Sequence, residues 1–295
     1  MRKNITGCDL LKARKTKIII FALLFVVLFS LFIVAIRDNT ALELNTYAII
    51  SSELPDTFHG YRIAHISDLH NTQLGQDNDQ LLTMLRETAP DMIAITGDLI
   101  DSRNTNVDIA VQFVKEAVKI APCYYVTGNH EARINTYIEL KNELISAGVV
   151  VLEDTSVEIV IGGQSITLIG VDDPSFQTDY LLGDSENVIH AKLSKLYTDR
   201  NGFTILLSHR PELFDTYVDF DINLILSGHA HGGQFRIPFI GGVVAPNQGL
   251  FPEFDSGIYT KGNTNMLVSR GIGNSIIPLR INNKPEVILI ELISQ

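Results

Sequence analysis

Apolar positions fall into three registers along this chain. Residues 18–36 are an unbroken apolar run without a charge, proline or glycine, and Ser30 is the only polar side chain in it. At roughly 1.5 Å per residue a helix of this length covers about 28 Å, close to the ~30 Å hydrocarbon core of a bilayer. The second register is a series of short apolar runs, predicted as strands at 44–50, 61–67, 92–96, 123–127, 149–152, 156–161, 165–171, 203–207, 222–226, 266–269 and 286–292. The three from 149 to 171 read as antiparallel neighbours, the last two joined by a Gly162-Gly163 turn.

The third register is helical. Asp77 or Asn78 is positioned to cap a helix running to about Glu87, with Leu81, Leu82 and Leu85 on its apolar face. Apolar residues at 107, 110, 111, 114 and 118 predict a helix over 107–120. A further helix over 134–147 is closed by Gly148, and Asp184 can cap another reaching about Tyr197. Pro211 opens a short helical piece, and 232–257 reads as a long glycine- and proline-rich loop. Strands alternating with helices and then a strand-rich half predict an α/β protein of two packed sheets covered by helices.

Charge sets the topology of the first segment. Arg2, Lys3, Lys12, Arg14, Lys15 and Lys17 precede the apolar run, with Asp9 the one acid among them. The positive-inside rule then gives a cytoplasmic tail over 1–17, an uncleaved transmembrane signal anchor over 18–36 and an extracytoplasmic catalytic domain over 40–295. The chain carries 23 basic and 34 acidic side chains, and without its first 36 residues a net charge of −16 remains. Such a domain repels nucleic acid, which speaks against a DNA or RNA partner. Cys8 and Cys123 fall on opposite sides of the membrane, so no disulfide framework is expected, and Cys123 reads as packing in a strand.

Five predicted strands each run directly into a polar cluster. These are Asp68-Leu69-His70, Gly97-Asp98-Leu99-Ile100-Asp101, Gly128-Asn129-His130-Glu131, Ser208-His209-Arg210 and Gly228-His229-Ala230-His231. Singly, each is compatible with an ordinary turn. In a sheet whose strands point the same way, all five tips converge on one edge. Asp, His and an Asn oxygen without a thiolate suit Mn, Fe, Zn or Ni. Seven candidates exceed one tetrahedral site and suit two ions sharing a carboxylate, an arrangement that generates a hydroxide nucleophile and clamps a phosphoryl centre.

The order D-x-H, G-D-x-x-D, G-N-H-E, S-H and G-H-x-H resembles the calcineurin-like metallophosphoesterases. The apolar anchor, with Gly228-His-Ala-His-Gly-Gly-Gln234 and Ala245-Pro-Asn-Gln-Gly249, is similar to the exported bacterial branch of that family. The resemblance implies an αββα sandwich of two mixed sheets, the metallo-dependent phosphatase fold. It implies Asp68, His70 and His231 on one divalent metal ion, Asn129, His209 and His229 on a second, and Asp98 bridging the two. It further implies that His130 contacts the phosphate and helps protonate the leaving group, that Asp101 orients His130, and that Asn129 also faces the substrate. Arg210, or Arg103, is a further candidate phosphate contact. Where phosphoprotein phosphatases carry arginines, this chain has Ser102 and Thr127, which argues against a protein substrate. The expected function is a membrane-anchored phosphohydrolase. Attack by a metal-bridging hydroxide would cleave a phosphodiester or pyrophosphate in an envelope lipid, nucleotide-sugar or polymer. A phosphomonoesterase and a catalytically silent metal-binding scaffold are the alternatives.

Overall fold

The computed structural model describes residues 7–177, 185–197, 202–274 and 278–295. Helix α1 (Gly7–Thr40) carries the apolar run, and its stretch Arg14–Thr40 is long and apolar enough to cross a membrane. Over residues 14–30, 32 and 33 its side chains stand exposed, whereas Ala35 and Asp38 are buried.

The strands follow as β1 (Glu43–Ser51), β2 (Tyr61–Ile66), β3 (Met92–Thr96), β4 (Cys123–Val126), β5 (Val150–Val151), β6 (Thr155–Ile161), β7 (Gln164–Gly170), β8 (Thr204–Leu207) and β9 (Leu224–Ser227). Four two-residue strands, β10 (Arg236–Ile237), β11 (Gly241–Gly242), β12 (Val244–Ala245) and β13 (Gly249–Leu250), come next. The last are β14 (Gly257–Lys261), β15 (Thr264–Val268) and β16 (Glu286–Ser294). The intervening helices are α2 (Asp79–Thr88), α3 (Val107–Ala117), α4 (Tyr137–Ala147), α5 (Ser185–Leu196) and α6 (Phe214–Val218).

Two six-stranded sheets form, ordered β1-β16-β2-β3-β4-β5 and β14-β15-β9-β8-β7-β6. Alternation within the strands builds three apolar layers. In β3, Met92 and Ala94 face the other sheet while Ile93 and Ile95 face α2, α3 and α4. In β9, Leu224 and Leu226 join the layer between the sheets, and Ile225 packs with Ile189, Leu193, Phe214 and Tyr217 of α5 and α6. A strand buried on both faces must be apolar at consecutive positions, hence the short continuous runs in the sequence. The architecture is the αββα sandwich of two mixed sheets.

The fold departs from the sequence reading in several places. Residues 149–152 do not pair with the β6–β7 hairpin; β5 pairs in parallel with β4 in the other sheet. An apolar pair reads the same in either sheet, and its partner is set by long-range pairing. Strand β14 begins at Gly257, where the predicted loop ends, in a stretch to which the sequence reading gives no element, and the loop itself holds two small antiparallel ribbons, β10 with β11 and β12 with β13. Asn78 does not cap α2 through its side chain. Its backbone is left-handed and its Oδ1 accepts from Leu74 N at 2.9 Å. Helix α3 stops at Ala117 and α4 begins at Tyr137, after a 3-10 turn at Glu131–Arg133, while Gly148 closes α4 at φ +99°. Asp184 lies outside the described residues.

Candidate metal centre

Strands β2, β3 and β4 run parallel in one sheet, and β8 and β9 run parallel in the other. Their carboxyl ends share one edge of the sandwich, so the five clusters meet in a crevice between two sheets rather than along one. The loops approach so closely that side chains are excluded at two positions. A Cβ on Gly228 would lie 1.8 Å from Ser67 Oγ and 2.3 Å from Asp68 Oδ2; one on Gly128 would lie 2.2 Å from Asp98 Oδ1. Five of the seven candidate ligands, Asp68, His70, Asp98, His229 and His231, have φ between +46° and +64°. Left-handed backbone at a residue other than glycine costs roughly 1–3 kcal/mol and clusters where function requires it.

The candidate ligands fall into groups that share members. Asp68, His70 and His231 form one, Asp98, His209 and His229 another, and His70, Asp98 and His130 a third that overlaps both; within each, one ligand atom from every residue lies within 4.8 Å of the others. Nε2 of His70 and Nε2 of His231 are 3.1 Å apart, with Asp68 Oδ1 at 3.7 and 3.2 Å. Asp98 Oδ2 lies 3.5 Å from His70 Nε2 and 3.3 Å from His209 Nε2, between the two groups. His209 Nε2 in turn lies 3.2 Å from His229 Nδ1. His209 Nδ1 donates to the Thr96 carbonyl at 2.7 Å, which turns Nε2 toward Asp98 and leaves it as the nitrogen a cation would take. Asn129 Oδ1 is buried with no hydrogen-bond partner among the described residues. An orphaned amide oxygen beside imidazole nitrogens and carboxylates is a donor set that fits divalent cations.

Electrostatics agree with that fit. Burial opposes the charge of Asp98, yet His209 beside it holds the carboxyl well below its usual range. Burial works against the charge of His209 too, and the carboxylates of Asp98 and Asp68 raise it to about 10. Such a proton leaves when a cation takes its place. Burial pulls His229 and His231 below the ordinary imidazole range, so both offer neutral nitrogens.

His130 sits against His70, ring centroids 4.5 Å apart, and its backbone N donates to Asp98 Oδ1 at 2.8 Å. Its Nδ1 accepts from Ser102 N at 3.0 Å, whereas Asp101 Oδ1 stands 3.5 Å away. The Asp101 carboxylate is occupied by Arg103, whose Nε and Nη2 donate at 2.9 and 2.6 Å. Burial lowers His130 to about 4, so its ring is neutral at pH 7 with its proton on Nε2. The Arg210 guanidinium is buried and forked onto Asp173 at 2.5 and 2.9 Å, with Nη1 3.3 Å from His229 Nε2. A phosphate contact from Arg210 would have to compete with that fork.

Several residues of the site carried no assigned role in the sequence reading. Glu131, fully buried, accepts from the backbone N–H groups of Asp98, Leu99 and Gly128 at 2.8–2.9 Å and so ties the β3 and β4 loops together. Asn283 Nδ2 donates to His231 O at 2.7 Å. Arg280, also fully buried, donates to the carbonyls of Arg270 and Gly273, and Gly273 N donates to Asp68 O. A buried charge satisfied by backbone leaves no periodic trace; only the quoted Gly128-Asn129-His130-Glu131 cluster held a hint of this set. Asn247, in the Ala245–Gly249 stretch, brings Oδ1 to 3.3 Å from His229 Nε2. His65 is a core residue bonded to Thr96 Oγ1, and burial raises the Cys123 thiol to about 12, leaving it inert.

The family model for calcineurin-like phosphoesterases matches residues 61–233, which hold all five clusters. The metallophosphoesterase YkuE of Bacillus subtilis is 30% identical over 256 residues, covering 85% of each chain. The phosphodiesterase YaeI of Escherichia coli is 28% identical over 79% of this chain and 82% of its own. A transmembrane protein with a metallophosphoesterase domain from Danio rerio is 29% identical over 80% of this chain and 54% of its own. Strand-end Asp, His and Asn side chains gathered between two sheets are thus matched by likeness along most of the sequence, and the chain belongs to the calcineurin-like phosphoesterases, metal-dependent hydrolases of phosphoric esters.

Proposed function

We propose that this protein hydrolyses a phosphodiester or pyrophosphate at a two-ion centre, from a catalytic domain held on the outer face of a membrane by α1. The observation that carries the two-ion reading is Asp98 Oδ2, set between His70 Nε2 and His209 Nε2 as one oxygen common to both ligand groups. Asp68, His70 and His231 would hold one cation, Asn129, His209 and His229 the other, with Mn, Fe or Zn suited to the set. Bound there, the ions would supply Lewis acidity, lowering the pKa of water to about 7 and placing positive charge against phosphoryl oxygens.

The chain's own residues provide orientation and proton control. Ser102 N–H on Nδ1 fixes His130 as an Nε2–H donor, able to hydrogen-bond a phosphoryl or leaving-group oxygen. Glu131 holds the Asp98 and Gly128 loops at fixed spacing. A diester reading draws support from the likeness to a relative named as a phosphodiesterase. It also fits the use of Thr127 within the fold, where Thr127 Oγ1 donates to Asp172 at 2.9 Å in place of a phosphate-binding arginine.

The single-pass anchor, amino terminus inside, rests on the apolar stretch Arg14–Thr40 and the basic tail before it. An envelope lipid, a lipid-linked nucleotide-sugar or a polymer is the substrate class this location favours. The test uses full-length protein in detergent, stripped with chelator and reloaded with Mn, Fe or Zn. Bis-p-nitrophenyl phosphate should be cleaved faster than p-nitrophenyl phosphate, with activity returning only with metal and lost in Asp98→Asn. Preference for the monoester would favour a phosphomonoesterase instead. Two ions bound per chain without turnover of either would favour a silent scaffold.

A further inference from the structure

The loop between the metal centre and β14 carries large apolar side chains in the open. Phe239 is fully exposed, and Ile240, Leu250 and Phe251 are each at least 60% exposed. Phe239 and Phe251 also sit at φ +69° and +54°, a region that bulky residues avoid. Contiguous apolar groups left in water on a soluble surface mark a contact site. The loop is also ordered by its own bonds. Ribbon β10–β11 leads into Val243, whose carbonyl accepts from Phe251 N at 2.8 Å.

Topology places this loop beside α1. Strand β16 is antiparallel to β2 and parallel to β1, with Glu43 opposite Glu286. The amino end of β1, where α1 enters, therefore lies at the same edge as the carboxyl ends of β2, β3 and β4. Asp38 in the last turn of α1 accepts from Asn282 N, and Asn282 Nδ2 donates to the Arg236 carbonyl at 3.2 Å. Two hydrogen-bonded steps thus join the helix end to the strand that leads to Phe239. At its other end the same loop brings Asn247 to His229.

We infer that residues 237–251 form a second membrane contact, with Phe239, Ile240, Leu250 and Phe251 seated in the headgroup–acyl boundary of the bilayer that α1 crosses. The inference rests on α1 being a membrane span. Because residues 37–295 carry a net charge of −16, attraction to anionic headgroups does not hold the domain down, and apolar insertion does. The contact sets the mouth of the metal centre at headgroup level. An amphiphilic phosphoester could then reach it without leaving the lipid.

The chain has no tryptophan, so each introduced one is the sole such fluorophore. Full-length Phe239→Trp, Phe251→Trp, Phe25→Trp and Val160→Trp are reconstituted in phosphatidylcholine vesicles, with or without bromine on the acyl chains, placed near the headgroup in one series and near the chain ends in another. Val160 is exposed and pairs with Ser165 near the hairpin turn of β6–β7, at the far edge of its sheet. Bromine near the headgroup should quench positions 239 and 251 about twofold, as for rings at the interface, and leave position 160 unchanged. If 239 and 251 behave like 160 while 25 in α1 is quenched, the loop contact is overturned and the anchor stands. If 25 is not quenched either, the anchor reading fails and takes the inference with it.

Discussion

A backbone N–H can only donate, so Ser102 N at 3.0 Å obliges Nδ1 of His130 to accept. The family resemblance gave Asp101 the task of orienting that ring, but its oxygens are turned onto Arg103. Asp101→Asn should therefore lower kcat less than about tenfold, while His130→Ala should cost on the order of 10²–10⁴ in kcat. Single-turnover assays on metal-loaded enzyme separate the two, and an equal loss in both variants would show that Asp101 does orient His130. Gly228 makes a second residue-scale prediction. Gly228→Ala drives a methyl into Asp68 and Ser67, so the variant should purify with less metal per chain, measured by elemental analysis. The ligand residues were legible because each follows an apolar run as a short polar cluster. The amide of residue 102 carries no side-chain signature, so its hold on His130 was not.

At the scale of elements, the joints between loops carry the stability of the site. Glu131→Gln would set an amide NH₂ against backbone N–H donors from two loops, and should cost roughly 2–4 kcal/mol in chemical unfolding. Asp172, after β7, offers a pH test. Burial raises its carboxyl to about 7, the nearby charges of Asp154 and Glu153 adding to the effect and the Thr127 hydroxyl opposing it. The folded chain then keeps a proton that the unfolded chain releases near pH 4. Stability contributed by this group is full below pH 4 and lost as pH rises toward 7. Asp172→Asn should remove that slope, matching wild type near pH 4 and exceeding it above pH 7 by roughly 2–4 kcal/mol. Thermal unfolding across that range measures it. The sequence marked most of these elements, yet it assigned Val150–Val151 to the wrong sheet and overlooked β14. Gly257-Ile-Tyr-Thr-Lys261 alternates only weakly, and its partner β15 supplies the pairing that makes it a strand.

At the scale of the molecule, both sheets deliver their strand ends to the edge at which α1 arrives. Apolar runs predicted two covered sheets, but not which strands share a sheet, since pairing partners stand far apart in the chain. Strand β16 shows this most clearly. It is inserted between β1 and β2, pairing Glu43 with Glu286 at one end and Ser51 with Ser294 at the other. Removing residues 286–295 should leave a protein with helices but no cooperative unfolding, visible as a lost near-ultraviolet dichroism signal.

The same insertion fixes an order of events in biosynthesis. Strand β1 directly follows α1, yet its partner β16 is made more than two hundred residues later. At about 5–20 residues per second a ribosome needs roughly 10–50 s to cover that distance. For that interval β1 stands unpaired, an open edge to which other nascent chains can add. A chain halted between His231 and Glu286 would carry all its ligand residues and still be unable to close the sheet. Completion of the fold, and with it the arrival of a working centre, is timed by the last strand to be synthesised.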